Sequence, residues 1–141
     1  MKLTLYTDYG LRVLLYLSLQ EKATVTEIAE AYQIARPHVV KVVHHLGRLG
    51  LIHTKRGRSG GIWLARRPEE INVGDVVRQL EPDFHIVGCF GGIDAGCVIA
   101  PVCRLKGVLG VALSSFFDVL DRHTLADLVE DRGALRTRLQ L

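Results

Sequence analysis

The sequence predicts a mainly α protein carrying one small β-hairpin. Apolar residues recur at helical spacing along most of the chain, and only residues 50–65 read as two short strands about a glycine-rich turn. The second and third helices are joined by a very short break, and the hairpin follows them directly. A closely joined helix pair followed by a hairpin is the pattern of a winged helix-turn-helix. A long apolar helix comes later and reads as a dimerisation helix. The expected organisation is a winged helix-turn-helix over residues 1–80, a loop over 81–103, and the dimerisation helix with a terminal helix over 104–141.

In residues 7–20, Leu11, Leu14, Leu15 and Leu17 mark a first helix. Thr24, with Glu27 three residues on, is a capping box that opens a second helix, whose buried stripe would be Ile28, Ala29 and Tyr32. A break at Gln33-Ile34-Ala35 leads into a third helix near residues 36–49. Pro37 suits its first turn, where no amide hydrogen is needed. Val39, Val40, Val43 and Leu46 are expected to face the core, leaving Arg36, His38, Lys41, His44, His45 and Arg48 outward. The second helix of such a pair enters the major groove with its N-terminal residues at the base edges. The run Gly50-Leu51-Ile52-His53-Thr54-Lys55-Arg56 then reads as a strand and Ile62-Trp63-Leu64-Ala65 as its return. Lys55, Arg56 and Arg58, with Ser59 and Gly60 in the turn, would form a wing tip able to reach phosphates or the minor groove.

Charge follows the same division. Residues 1–72 hold eleven Lys/Arg against six Asp/Glu, and residues 73–141 hold seven against nine, beneath an overall charge of +3. A basic helix face alone is usually just solvated. Helix pair, basic hairpin and basic front half in this order point instead to double-stranded DNA. With 48% apolar and 23% charged residues the chain can bury an ordinary core. The N-terminus lacks a signal-peptide pattern and charges interrupt every apolar run, so a cytoplasmic protein with no membrane partner is expected. Ser-His-Asp constellations, phosphate loops and dinucleotide fingerprints are missing, which weighs against an enzyme.

Residues 71–80 read as a short helix ended by Glu81-Pro82, and residues 83–100, with Gly88, Gly91, Gly92 and Gly96, as a long loop. A loop of that length in so small a chain calls for a function or a partner. It holds or adjoins all three cysteines, Cys89, Cys97 and Cys103, spaced Cys-x7-Cys-x5-Cys. Without a Cys-x2-Cys pair this is neither a zinc ribbon nor a thioredoxin-type site. Thiolates are soft ligands for zinc, copper(I) or iron–sulfur clusters, and three buried, unligated cysteines are the plain alternative. Spacing leaves a fourth ligand open among His85, Asp83, Asp94 and the unusual Lys106. From residue 101 to 122, Leu105, Val108, Leu109, Ala112, Phe116, Val119 and Leu120 form one apolar stripe and Val111, Leu113 and Phe117 a second sector. A helix apolar on two sides needs two surfaces to pack against, one of them a second copy in a homodimer. A last short helix opens at Thr124.

Five segments carry a resemblance: residues 3–12, 56–62, 71–81, 101–106 and 124–129. They resemble the bacterial iron–sulfur winged-helix transcriptional repressors, nearest the nitric-oxide-sensing NsrR type and further from the cluster-assembly IscR type. The resemblance implies a homodimer with one iron–sulfur cluster per subunit, bound by Cys89, Cys97 and Cys103. It implies Asp8 of the partner subunit as the fourth ligand of a 4Fe-4S cluster, ahead of a 2Fe-2S one. The IscR type has a histidine three residues after the last cysteine, where this sequence has Lys106. The gap between Cys89 and Cys97 is wider than is usual in the family. Read without the resemblance, Asp8 simply complements the first helix's dipole, and Arg12, one turn on, could pair with it or offset a cluster's charge. The function implied is a repressor that holds a palindromic operator and releases it when nitric oxide attacks the cluster. The alternative is a cluster-free winged-helix regulator using its thiols for redox sensing or zinc.

Overall fold

The computed structural model describes residues 2–91 and 97–141. Three helices, α1 (Leu5–Leu19), α2 (Val25–Tyr32) and α3 (Arg36–Arg48), precede an antiparallel hairpin of β1 (Ile52–Lys55) and β2 (Gly61–Leu64). Helix α4 (Val73–Leu80), α5 (Arg104–Leu120), α6 (Leu125–Leu128) and α7 (Arg132–Leu139) complete the chain, with 3-10 turns at Pro68–Glu70, Gly88–Phe90 and Ala100–Val102. The predicted mainly α fold with one hairpin is what forms. Gly92, Asp94 and Gly96 lie outside the described residues.

Helix starts follow local chemistry. Thr4 caps α1 by accepting from the Thr7 amide, and Thr24 and Glu27 make the expected reciprocal capping box on α2. No side chain caps α3, whose first turn instead contains Pro37. Asn72 caps α4 by accepting from the Asp75 amide.

Helix α1 runs through the middle of the core and packs on α3, α4, α6 and β2. Leu14, Ile28, Val39, Val42, Leu46 and Leu51 are almost fully buried around it, each contributing about 1.5–3 kcal/mol by leaving water. The hairpin pairs Ile52 with Leu64 and Thr54 with Ile62. A third short connection braces it: the Ala23 amide donates to the Ile62 carbonyl at 2.9 Å and the Ile62 amide to the Ala23 carbonyl at 2.7 Å. The wing root is therefore tied to the segment that opens α2.

Several features differ from the sequence expectation, beginning on α2, where Ile28 and Ala29 are buried and Tyr32 only half-buried. On α3 the buried residues are Val39, Val42, Val43 and Leu46, and Val40 is exposed. The true stripe is the i, i+3, i+4, i+7 pattern; two valine doublets made either phase readable. Nor is α6 the last helix. Asp131 caps α7 by accepting from the Ala134 amide, and Arg136 donates to the Leu19 carbonyl at 2.7 Å, satisfying the C-terminal end of α1. With only Leu135 and Leu139 as large apolar residues, α7 shows little periodicity to read.

The C-terminal end of α5 is locked onto α4, whose cap residue Asn72 donates from its side-chain amide to the Asp121 carbonyl at 2.7 Å. Arg78 on α4 donates two bonds to the Asp121 carboxylate, both 2.7 Å, and its guanidinium lies 4.3 Å from the centroid of the Phe117 ring. Those bonds hold the Asp121 carboxyl below its ordinary pKa. A Cβ at Gly74 would collide with the Asp121 carboxylate. Gly74→Ala is therefore expected to break this lock and destabilise the fold by about 1–3 kcal/mol, read as a lower urea midpoint with unchanged slope. No residue of α5 is buried. Leu109, Leu113, Phe116, Phe117 and Leu120 are half-buried against the chain, whereas Leu105, Val108, Val111 and Val119 stay 55–67% exposed.

Candidate nucleic-acid interface and metal centre

The outward face of α3 and the wing form one cationic cleft of about 480 Å3, with Arg36 and His44 on one wall and Lys55, Arg56 and Arg58 on the other. Arg36, Pro37, His38, Lys41, His44 and the wing's Lys55, Arg56, Arg58 and Ser59 are exposed, and Gly60 is half-buried. The turn depends on two glycines. Gly57 has φ +98°, and a Cβ at Gly60 would strike the backbone of Lys55, Arg56 and Gly57. The Lys22 ammonium donates to the Ser59 carbonyl and so fastens the wing from outside the hairpin. Nothing in the local sequence pattern marks Lys22 for that role.

His45 stands apart from the other candidate contacts. It is half-buried, with its Nδ1 3.0 Å from the Tyr6 hydroxyl and the two ring centroids 5.7 Å apart. The Tyr6 hydroxyl also lies 3.4 Å from the Lys41 carbonyl, and the Tyr9 ring is 5.9 Å from the His38 ring. Two tyrosines flanking Asp8 on α1 thus rest directly on α3.

Asp8 lies in the first turn of α1 and is paired with Arg12. The Arg12 Nε donates to Oδ1 at 3.1 Å, and a second guanidinium nitrogen lies 3.0 Å from Oδ2. Both side chains are about 40% exposed, and the guanidinium sits 5.7 Å from the Tyr32 ring centroid. Burial pushes the Tyr32 phenol up to about 12, with Arg12 opposing the shift.

The start of α1 is also clamped by Glu81, the residue that ends α4. The Thr4 amide donates to Glu81 Oε1 at 3.0 Å, the Thr4 hydroxyl to Oε2 at 3.0 Å, and the fully buried Thr7 hydroxyl to Oε2 as well. Glu81 therefore pins the first residue of the cysteine loop to the helix that carries Asp8. Glu81→Ala should lower stability by about 1.5–3 kcal/mol, the scale for hydrogen bonds to a charged group, measured by chemical denaturation. A loss below about 0.5 kcal/mol would show that water replaces the clamp.

Cys89 sits half-buried in the 3-10 turn Gly88–Phe90, Cys97 is exposed, and Cys103 is the half-buried residue preceding α5; all three are free thiols. Among the described residues no three His, Cys, Asp or Glu side chains converge on one metal ion. Asp83 and His85 face each other instead, with the His85 amide donating to Asp83 at 2.9 Å. The first turn of α5 has no side-chain cap and no acidic residue, and it holds Arg104 and Lys106. Cations at the positive end of a helix are unfavourable unless an anion joins them. The donor types fit an iron–sulfur cluster, which takes thiolates as ligands: three free cysteines, of which Cys103 stands at the start of α5 beside two cations that offset negative charge.

The Rrf2 family, described as iron-dependent transcriptional regulators, matches residues 3–131. The chain belongs to the Rrf2 family. It is 50% identical over 143 residues to the HTH-type transcriptional regulator NsrR of Shouchella clausii, covering 99% of this chain and 96% of that protein. It is 49% identical over 144 residues to the regulator of the same name from Bacillus subtilis, covering 100% and 99%. Among solved structures it resembles T. potens IscR (TM-score 0.75, 28% identity, 93% and 88% covered). It also resembles the oxidised form of Staphylococcus aureus CymR (TM-score 0.73, 28% identity, 92% and 97% covered). This Rrf2 protein is thus a transcriptional regulator of the NsrR type with a winged-helix fold, and not an enzyme. Among its described residues no helix is long and apolar enough to cross a membrane.

Proposed function

We propose that this Rrf2 regulator is a homodimeric repressor that senses nitric oxide through an iron–sulfur cluster, 4Fe-4S rather than 2Fe-2S. The observation that carries the proposal is Cys103, a free thiol at an uncapped, cation-flanked helix start, with the free thiols of Cys89 and Cys97 earlier in the same stretch of chain. The full-length likeness to NsrR proteins supports the signal. Cys89, Cys97 and Cys103 would hold the cluster, with Asp8 of the partner subunit completing it. When bound, such a cluster supplies iron that nitric oxide attacks.

The chain's own residues do the rest. To serve a neighbouring subunit Asp8 would have to loosen its pairing with Arg12, and an i, i+4 pair with both side chains about 40% exposed holds it by merely about 0.3–0.5 kcal/mol. The helix that bears Asp8 also rests on α3 through Tyr6 on His45 and Tyr9 on His38. A shift at the start of α1 therefore moves the helix that enters the major groove. By linkage, DNA affinity changes by as much as the ligand prefers one arrangement over the other. Arg36, Pro37, His38, Lys41 and His44 would lie at the bases, and Lys55, Arg56, Arg58, Ser59 and Gly60 along the backbone or minor groove. His45 would act indirectly, through Tyr6.

Arg58→Ala should weaken binding to any duplex and reduce the slope of log affinity against log salt by about one. An unchanged slope would remove Arg58 from the phosphate contacts. The test of the proposal as a whole is metal analysis of anaerobically purified protein with its mass in solution. Iron and acid-labile sulfide in similar amounts on a dimer are expected. Zinc without sulfide, or a colourless protein with reactive thiols, would favour the cluster-free reading, for which the exposure of Cys97 is the supporting observation.

A further inference from the structure

We infer that Val40 reads the methyl group of a thymine, setting the sequence preference at one base pair of each operator half-site. The inference rests on the DNA-reading role proposed above and deepens it.

Among the described residues between Tyr6 and Gly91, Val40 is the one large apolar side chain left exposed, at 43%. The other exposed ones are Leu5 and a group running from Val98 through α5 to Leu128. Val40 is not spent on folding, because Val39, Val42, Val43 and Leu46 close the core side of α3 without it. Arg36, Val40 and His44 recur every fourth residue, so they form one ridge down the helix. All three line the cleft whose opposite wall is Lys55, Arg56 and Arg58. Cations on that wall attract a phosphate strand, which brings base edges to the ridge.

A valine side chain has neither donor nor acceptor. Set against a purine N7 or O6 or a cytosine N4, it would strip that atom of water and return no bond. The one apolar group on any base edge in the major groove is the 5-methyl of thymine. Arg36 and His44, one turn to either side, carry the donors that the neighbouring positions need. The ridge therefore reads donor, methyl, donor.

Replacing thymine by deoxyuridine removes that methyl and nothing else. A random duplex library is selected with the anaerobically reconstituted dimer, and the recovered operator is synthesised with each thymine replaced singly by deoxyuridine. For the wild-type chain, one thymine in each half-site should weaken binding about fourfold, the effect of one buried methyl. Val40→Ala should lose affinity for the natural operator and become insensitive to deoxyuridine at that position alone. If every single replacement is neutral for the wild type, Val40 reads no methyl and the inference fails, whatever the variant does. If Val40→Ala weakens all sequences equally, Val40 packs on the sugar-phosphate backbone. A library from which nothing is enriched would overturn the DNA-reading role itself and this inference with it.

Discussion

Cys103→Ser is expected to yield a folded, colourless protein that has lost operator affinity by at least about 100-fold, toward the non-specific level. Cys103 lies half-buried outside the hydrophobic core and caps nothing with its side chain. Serine there should leave the far-ultraviolet spectrum and unfolding midpoint of the metal-free protein unchanged. What it removes is a soft ligand, since a hydroxyl is a poor substitute for a thiolate toward iron–sulfur groups. Visible absorbance after anaerobic reconstitution and quantitative gel shift read the two losses. A variant that keeps the chromophore and binds the operator normally would remove Cys103 from the ligand set.

The second large effect is expected at α5. Leu105, Val108, Ala112 and Val119 follow the alternating three- and four-residue spacing of a helix-pairing seam, with Ser115 at the remaining position, and all five are exposed. A two-fold axis would set this stripe on its own copy, so a single substitution acts twice. Val108, 64% exposed, could become glutamate in an isolated chain at little cost, within about 0.5 kcal/mol. In the pair it would bring two carboxylates into an apolar seam. Val108→Glu should sediment as a folded monomer and bind the two-half-site operator about 1,000-fold more weakly, with only one half-site engaged. A dimer of undiminished stability would place the interface elsewhere.

How much was legible depended on how local the determinants are. Capping box, Pro37, glycine turn and basic tip are short-range signals, and each forms where the sequence puts it. The phase of α3 was harder. Val39-Val40 and Val42-Val43 offer two stripes of equal hydrophobicity, and only the packing against α1 and α2 decides that Val42 goes in and Val40 out. Glu81 and Arg136 were missed as ties because their partners, Thr4 and Leu19, are remote in sequence and are met only in the fold. A helix such as α7, with one leucine, Leu139, against the core beside its polar tie to Leu19, leaves no apolar rhythm. At the candidate metal centre, residue types were legible from the start. The pairing of Asp8 with Arg12 was one of two options, and the structure shows it.

Whether a cluster is the sensor is read most directly by an anaerobic titration with nitric oxide. Visible absorbance and operator binding are followed together on freshly reconstituted protein. The chromophore is expected to bleach or shift in step with loss of DNA binding, at the same ratio of gas to cluster. Operator binding that persists after the chromophore has gone, or that ignores the gas altogether, would contradict a cluster sensor and leave a winged-helix regulator whose thiols serve another purpose.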